Sequence, residues 1–252
     1  LRLTNTTLSN EQAKITAAWE SNPTGDDWCQ KNNIKRCDSP EEVAKEVDFI
    51  MIMAPDNVEC HWDFSQKVLP FKKATFIDKF LAPSYAEAQS IVSLGKQLGT
   101  PIMSSSSLTF AVELEQLMDS IPKDPTEMYS RGLSKWAGYG IHTISPVLRI
   151  MGSDIKRLID TGTPLSHCVT LDYGQGRQAT IEVRHAENEW DFFPWQFGIK
   201  VNGKYLGATV KDFDGFYTNL LRRVIDFFKT GQAAFPVESA LAAVRILEDA
   251  EK

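Results

Sequence analysis

The feature that most constrains this chain is a change of hydrophobic period near residue 120. Upstream of it, short apolar runs alternate with capped helical segments: KITAAW at 14–19, VDFIMIMAP at 47–55, ATFIDK at 74–79 and PIMSS at 101–105. VDFIMIMAP is continuously apolar, the pattern of a strand buried on both faces of a parallel sheet. Between the runs, Ser39-Pro40-Glu41-Glu42 reads as a capping box with proline at the first helical position, and Ser84 with Glu87 as a second. In the helix that follows Ser84, the residues Tyr85, Ala88, Ile91, Val92 and Leu98 recur at helical spacing and leave Glu87, Gln89 and Lys96 for water. Strand alternating with helix predicts βαβ units and a parallel, doubly wound sheet.

Downstream the period drops to two. IKRLIDTG, HCVTLDY, RQATIEVRHA, QFGIKVNG and KYLGATV alternate apolar with polar residues and are separated by glycine-rich turns, which predicts an antiparallel meander. Helices over 213–229 and 237–250 close the chain. The expected organisation is therefore α/β followed by α+β: a parallel-sheet domain over 1–118 and an α/β domain with a large, mostly antiparallel sheet over 119–252.

Composition narrows the function. A net charge of -6 with no block of Lys or Arg argues against nucleic acid or an anionic membrane surface as partner and favours a small molecule. The 4 cysteines, Cys29, Cys37, Cys60 and Cys168, form no C-x-x-C pair, so a disulfide scaffold or structural zinc is not expected, and a reducing, cytoplasmic setting is. No run reaches the roughly 18–20 apolar residues of a membrane span, and no charged-then-apolar leader opens the chain. Its opening, LRLTNTTLSNEQAK, reads instead as the end of a helix.

A parallel sheet invites a nucleotide, yet the one match to the dinucleotide glycine fingerprint, Gly174-Gln175-Gly176-Arg177-Gln178-Ala179, lies between two strand-like runs. A phosphate loop must follow a strand and open a helix, so this match reads as a hairpin turn. If the fold binds a dinucleotide, its first strand and glycine-rich loop are expected upstream of Leu1 or missing from the sequence.

Ligands of open α/β sheets bind beyond the carboxyl ends of the strands. Glu20 directly follows KITAAW, where an acid would bond the ribose hydroxyls of NAD and repel the 2′-phosphate of NADP; it reads equally as a solvated loop residue. Ala54-Pro55-Asp56-Asn57 ends the next strand and leads to His61; its bland reading is a strand-to-helix turn capped by Asp56 or Asn57. Asp78-Lys79 ends the third, and such a lysine taken alone is usually a surface charge. In GYGIHTISPVLRIMG, at 138–152, Ile141, Ile144, Leu148 and Met151 form an apolar stripe, while Gly138, His142, Ser145 and Arg149 share a neighbouring face fit to border a cleft. His142 would supply a proton near neutral pH if its pKa is unperturbed; a lone histidine is more often structural. Cys60-His61 and His167-Cys168 diverge on helix and strand and read as incidental, and FFPWQF, at 192–197, reads as core or interface, with an aromatic wall for a ring-shaped substrate as the alternative.

Taken in order, these pieces resemble the Gfo/Idh/MocA family of nicotinamide-dependent oxidoreductases over 14–252. In that family a second-strand acid, a T-P-N-x-x-x-H-like turn, an E-K-P-L-A segment, a glycine-rich helix bearing a histidine and a late P-V-E/G-x-A-L helix succeed one another. Here stand Glu20, APDNVECH, DKFLAPSYAEAQSIVSLGKQLG, GYGIHTISPVLRIMG and FPVESALAAVRILEDA. The resemblance implies a Rossmann domain, then an α/β domain whose sheet often packs against a second subunit, giving a homo-oligomer. It implies NAD as cofactor, with NADP less favoured, held by Glu20, Ala54, Pro55, Asn57, His61, Asp78 and Lys79. Lys79 would sit beside the nicotinamide, bind substrate and relay a proton, and His142 would share the acid/base work. The substrate would be an alcohol or carbonyl of a sugar, cyclitol or similar small molecule.

Three departures bear on this. Phe80 replaces the usual proline after the lysine; Gly138 stands four before the histidine, where many members carry a catalytic aspartate; and Ser145 replaces a second common aspartate. A site without that carboxylate would use another group, such as Tyr139, or a buried lysine acting alone. A protein that kept the fold and lost the reaction, serving as a binding or regulatory subunit, is the competing expectation.

Overall fold

The computed structural model describes residues 13–21, 28–54, 57–121, 124–163, 165–185 and 194–252. In chain order the elements are β1 (Ala17–Ala18), α1 (Trp28–Lys31), β2 (Lys35–Arg36), α2 (Pro40–Glu46), β3 (Ile50–Ile52), α3 (His61–Val68), β4 (Thr75–Ile77), α4 (Tyr85–Leu98), β5 (Ile102–Ser104) and α5 (Val112–Glu115). They continue with β6 (Glu127–Leu133), α6 (Trp136–Met151), β7 (Arg157–Asp160), β8 (Ser166–Gly174), β9 (Arg177–Arg184), β10 (Gln196–Val201), β11 (Lys204–Thr209), α7 (Gly215–Thr230) and α8 (Val237–Asp249).

Strands β3, β4 and β5 form the expected parallel sheet, in register from Ile50 opposite Thr75 to Ile77 opposite Ser104. The run at 14–19 contributes only β1, which pairs in parallel with β2 as a separate two-stranded ladder. Both capping serines accept the backbone N–H three residues on, Ser39 from Glu42 at 3.1 Å and Ser84 from Glu87 at 3.2 Å. The reciprocal arms differ from a full box: the Glu42 carboxylate accepts from the Asp38 N–H at 2.8 Å. At the head of α4 it is Glu248, from the far end of the chain, that accepts from the Tyr85 N–H at 2.8 Å.

The second sheet has six strands in the order β11-β10-β6-β9-β8-β7. All neighbours are antiparallel except β6 and β9, so the sheet is mixed where the sequence predicts a simple meander. The cause is β6, a strand the hydrophobic pattern does not announce. Its inward side chains are Met128, Ser130 and Gly132, two of them barely apolar, while Tyr129 and Leu133 face the other way. The Gly174–Gly176 segment is the hairpin between β8 and β9, with positive φ at Gly174, Gln175 and Gly176, which removes it from nucleotide binding.

Helix α6 lies against β6 and β9 of this sheet, and α8 packs on α6, on α4 and on β5 of the parallel sheet, so one apolar core runs from Ile50 and Phe76 through Leu108 and Ile144 to Val169 and Phe197. Polar ties hold α8 in place: Lys96 pairs with Glu238 at 2.9 Å, and the Trp136 indole donates to the Leu247 carbonyl at 3.0 Å. The last helix therefore fixes the parallel sheet and α6 relative to each other. Among the described residues no helix is long and apolar enough to cross a membrane, and no group of three or more His, Cys, Asp or Glu could hold a metal ion.

Candidate active site

The site is built where β4 leaves its sheet. Phe76 and Ile77 are fully buried, and the Asp78 N–H still donates to the Ile52 carbonyl at 2.9 Å, so the ladder carries Asp78 to its very end. One Asp78 carboxylate oxygen accepts from the Lys79 N–H at 2.8 Å and turns the chain. The Lys79–Phe80 peptide is cis, with phenylalanine in the place of the family's proline. Leu81 and Ala82 then plunge back into the core, leaving the Lys79 side chain half-buried at the sheet's carboxyl edge. Its ammonium has no hydrogen-bond or ion-pair partner among the described residues.

His61 stands behind this turn. It is fully buried at the start of α3, and its Nδ1–H donates to the Leu81 carbonyl at 3.1 Å. Burial pushes its pKa below the ordinary histidine value, against smaller upward pulls from the Leu81 carbonyl and Asp78, so the ring is neutral. His61 was expected as a cofactor ligand; with no exposed surface it braces the Lys79–Leu81 turn instead. Its neighbour Cys60 is a free, partly buried cysteine.

The opposite wall is α6. Ile141, Ile144, Leu148 and Met151 are buried as the stripe predicts, and Ser145 is buried with them; Arg149, lower on the helix, is held by the Glu115 carboxylate at 2.5 Å and the Thr109 carbonyl at 2.7 Å. His142 faces the cleft. Its Nδ1 lies 2.7 Å from the Ser106 hydroxyl, and its ring is flanked at 5.6 Å by Tyr139 and, edge to face, by Trp195. Loss of water around the ring, and then the nearby Lys79 charge, push its pKa down to about 3. The histidine is therefore neutral at physiological pH, which corrects the expectation that it titrates near neutrality. Lys79, at the strand end, is near enough to this helix face for its charge to act on the ring.

Of the remaining expected residues, Glu20 lies just past β1 and accepts from Arg36, at the end of the parallel neighbour β2, at 3.1 Å; both side chains are about one-third exposed, at 36%. The Ala54 carbonyl accepts from the Asn57 N–H at 3.1 Å, and the exposed Asn57 side chain makes no cap bond, leaving it available to a ligand. Pro55 and Asp56 lie outside the described residues. Tyr139 is 48% exposed beside His142. A Cβ on Gly138 would meet no atom within 4 Å, so the position expected to carry an aspartate faces open space.

Three residues escaped the sequence reading. Ser106 belongs to a serine tract that looks like an ordinary loop, yet Ser104, Ser105, Ser106 and Ser107 are all buried, and burial of four hydroxyls in a row demands partners. Trp195, in the segment read mainly as core, packs its indole over Gly132 of β6 and against His142, while Phe197 two residues on is core. Arg36 carried no pattern of its own.

Residues 2–105 match the family model for the oxidoreductase family with an NAD-binding Rossmann fold, Gfo/Idh/MocA. The matched stretch carries the parallel sheet and ends one residue past β5. No curated protein sequence matches the chain. Among solved structures, a probable dehydrogenase from Thermotoga maritima superposes with TM-score 0.80 at 14% identity, covering 94% of this chain and 88% of that one. An oxidoreductase from Agrobacterium radiobacter, solved with NAD+, L-tartaric acid and magnesium, gives 0.73 at 14% identity over 93% and 86%. The UDP-N-acetylglucosamine 3-dehydrogenase of Acidithiobacillus ferrooxidans gives 0.74 at 9% identity over 88% and 83%. These likenesses extend the Gfo/Idh/MocA fold across both sheets. The donor set suits the nucleotide that family binds: beyond the parallel strands stand the Arg36-paired acid Glu20 and, without partners among the described residues, the Asn57 amide and the Lys79 ammonium.

Proposed function

We propose that the chain is an NAD(P)-dependent oxidoreductase moving a hydride between nicotinamide and an alcohol or carbonyl carbon of a small, sugar-like molecule. The observation that carries this reading is that Lys79, at the carboxyl end of a parallel strand and with no partner among the described residues, lies near enough to a neutral His142 for its charge to act on the ring. Glu20 would bond the ribose hydroxyls, which favours NAD; Ala54 and Asn57 would line the nucleotide's edge, and Asp78 and Lys79 its nicotinamide end. Bound there, the nicotinamide supplies the hydride acceptor or donor.

Lys79 carries the proton that balances the hydride. In alcohol oxidation Lys79 would first give a proton to solvent; its free amine would then take the hydroxyl proton as the C–H bond gives up its electron pair as hydride and a C=O bond forms. In reduction the Lys79 ammonium returns a proton to the carbonyl oxygen as hydride reaches carbon. Tyr139, exposed beside His142, would extend that path toward solvent. His142, neutral, offers a hydrogen bond to the same oxygen, and Trp195 with Tyr139 supplies aromatic faces against which a sugar ring packs.

The domain division at 118/119, cytoplasmic residence and assembly through the outer face of the mixed sheet belong to the same proposal. That face displays Ile159 and Tyr205, and Tyr205 joins Lys200 on the Glu127 carboxylate. Light scattering tests the assembly, and a clean monomer would refute it. Calorimetric titration with NAD and with NADP, followed by Lys79→Ala, tests the function. Nucleotide binding should survive the substitution while turnover falls by about 10²- to 10⁴-fold, the range for a lost acid/base group. Failure of both nucleotides to bind would turn the search to a binding role.

A further inference from the structure

The buried serine tract after β5 offers a role that the expected site residues do not explain. Ser106 is fully buried and caps the short 3₁₀ helix Ser107–Phe110 by accepting from the Leu108 N–H at 3.2 Å. The same oxygen lies 2.7 Å from His142 Nδ1. Its neighbour is held too: the Ser105 hydroxyl lies 3.1 Å from the Thr109 hydroxyl and 3.0 Å from the Ser106 carbonyl, so the tract cannot swing away. A hydroxyl whose lone pair already takes a backbone N–H has its own proton to give. Toward a neutral imidazole that proton goes to an unprotonated Nδ1, which leaves the ring's single N–H at Nε2.

We infer that Ser106 is the positioning residue that fixes His142 as its Nε2–H tautomer, so that the histidine presents a hydrogen-bond donor, and not a base, to the substrate oxygen. The inference deepens the oxidoreductase reading, on which the words "substrate oxygen" rest, but the tautomer is a property of the protein by itself. The division of labour follows: Lys79 exchanges the proton, and His142 Nε2–H polarises the carbonyl or steadies the alkoxide without changing its own charge. The rest of the ring's surroundings agree. Trp195 and Tyr139 present ring faces and edges, and neither is hydrogen-bonded to the imidazole, so Ser106 is the one described group that selects between its nitrogens.

Long-range ¹H–¹⁵N correlation on the full uniformly labelled chain reads the tautomer directly. The chain has 4 histidines, and His142→Asn identifies the pair of signals that belongs to position 142. The expected result at neutral pH is one unprotonated nitrogen at Nδ1 and one protonated at Nε2, well separated in shift. In Ser106→Ala the two should move toward each other as the tautomers mix, and Ser106→Thr, which keeps the hydroxyl, should restore the separation. The same alanine variant should lose about fivefold to tenfold in kcat, the scale of one net hydrogen bond, with nucleotide affinity unchanged. A protonated Nδ1 in the native protein, or separated signals that persist in Ser106→Ala, overturns the assignment. Should the alanine variant not fold, Ser106→Cys supplies the weak-donor comparison under the same criteria. Because the spectra need neither substrate nor turnover, failure of the tautomer and failure of the oxidoreductase reading are distinguishable.

Discussion

His142 should make the protein acid-labile in a window set by its two pKa values. Unfolded, the imidazole titrates near 6.5; folded, it is pushed down to about 3. Between these values the unfolded chain binds a proton that the folded chain refuses, so stability falls as pH drops. At pH 7 the effect is nearly absent. At pH 5 the unfolded histidine is almost wholly protonated and the folded one almost wholly neutral, and one and a half pKa units at 1.36 kcal/mol each give a loss of about 2 kcal/mol. The figure hardly depends on the folded value while that value stays below about 4, since the pH chosen lies between the two. His142→Asn keeps an acceptor near the Nδ1 position and removes the titration. Urea unfolding of both proteins at pH 7 and pH 5 should therefore show the wild type losing about 2 kcal/mol more than the variant. His61, also pushed down by burial, contributes to both proteins and cancels in the difference. Equal losses in the two proteins would refute the neutral, desolvated histidine.

Three smaller perturbations test the packing around the site. Gly132→Ala would drive a Cβ into the Trp195 ring and should cost about 1–3 kcal/mol in urea unfolding, as overpacking generally does. Gly138→Asp enters open space in the first turn of α6, where a carboxylate replaces a poor helix former and meets the helix dipole; thermal unfolding should show a gain of about 0.5–1 kcal/mol. Ser39→Ala removes the bond to the Glu42 N–H at the head of α2 and should lower stability by about 1 kcal/mol, read from the urea midpoint.

Much of this was legible because local rules and the final fold agree. The capping serines, the α4 and α6 stripes and the hairpin glycines each specify their element without help from distant residues. Strand β6 was not, because a strand whose buried face is Met128, Ser130 and Gly132 has lost the contrast that periodicity detects; its space is filled from elsewhere, by Trp195 over Gly132. Lys79 and His142 were joined as a pair only through the family resemblance, not by any local pattern. Their meeting requires β4 and α6 to be brought together by a core that α8 completes from the far end of the chain. His61 illustrates the opposite limit: the resemblance implied a ligand, and its complete burial with a bond to the Leu81 carbonyl ties it to the turn instead.

The environment of His142 also bears on the proposed chemistry in the absence of an acid at position 138. A carboxylate one turn before the histidine would favour the imidazolium, since side chains four apart on a helix are neighbours. With glycine there, no charge offsets desolvation, and the Lys79 cation adds to it. The two effects act in the same direction, so the cleft holds one positive charge and not two. That charge belongs to the lysine. In the proposed reaction a histidine that stays neutral would not compete for the proton and its orientation would be its whole contribution, so that a buried hydroxyl 2.7 Å from Nδ1 would matter more than the histidine's own basicity.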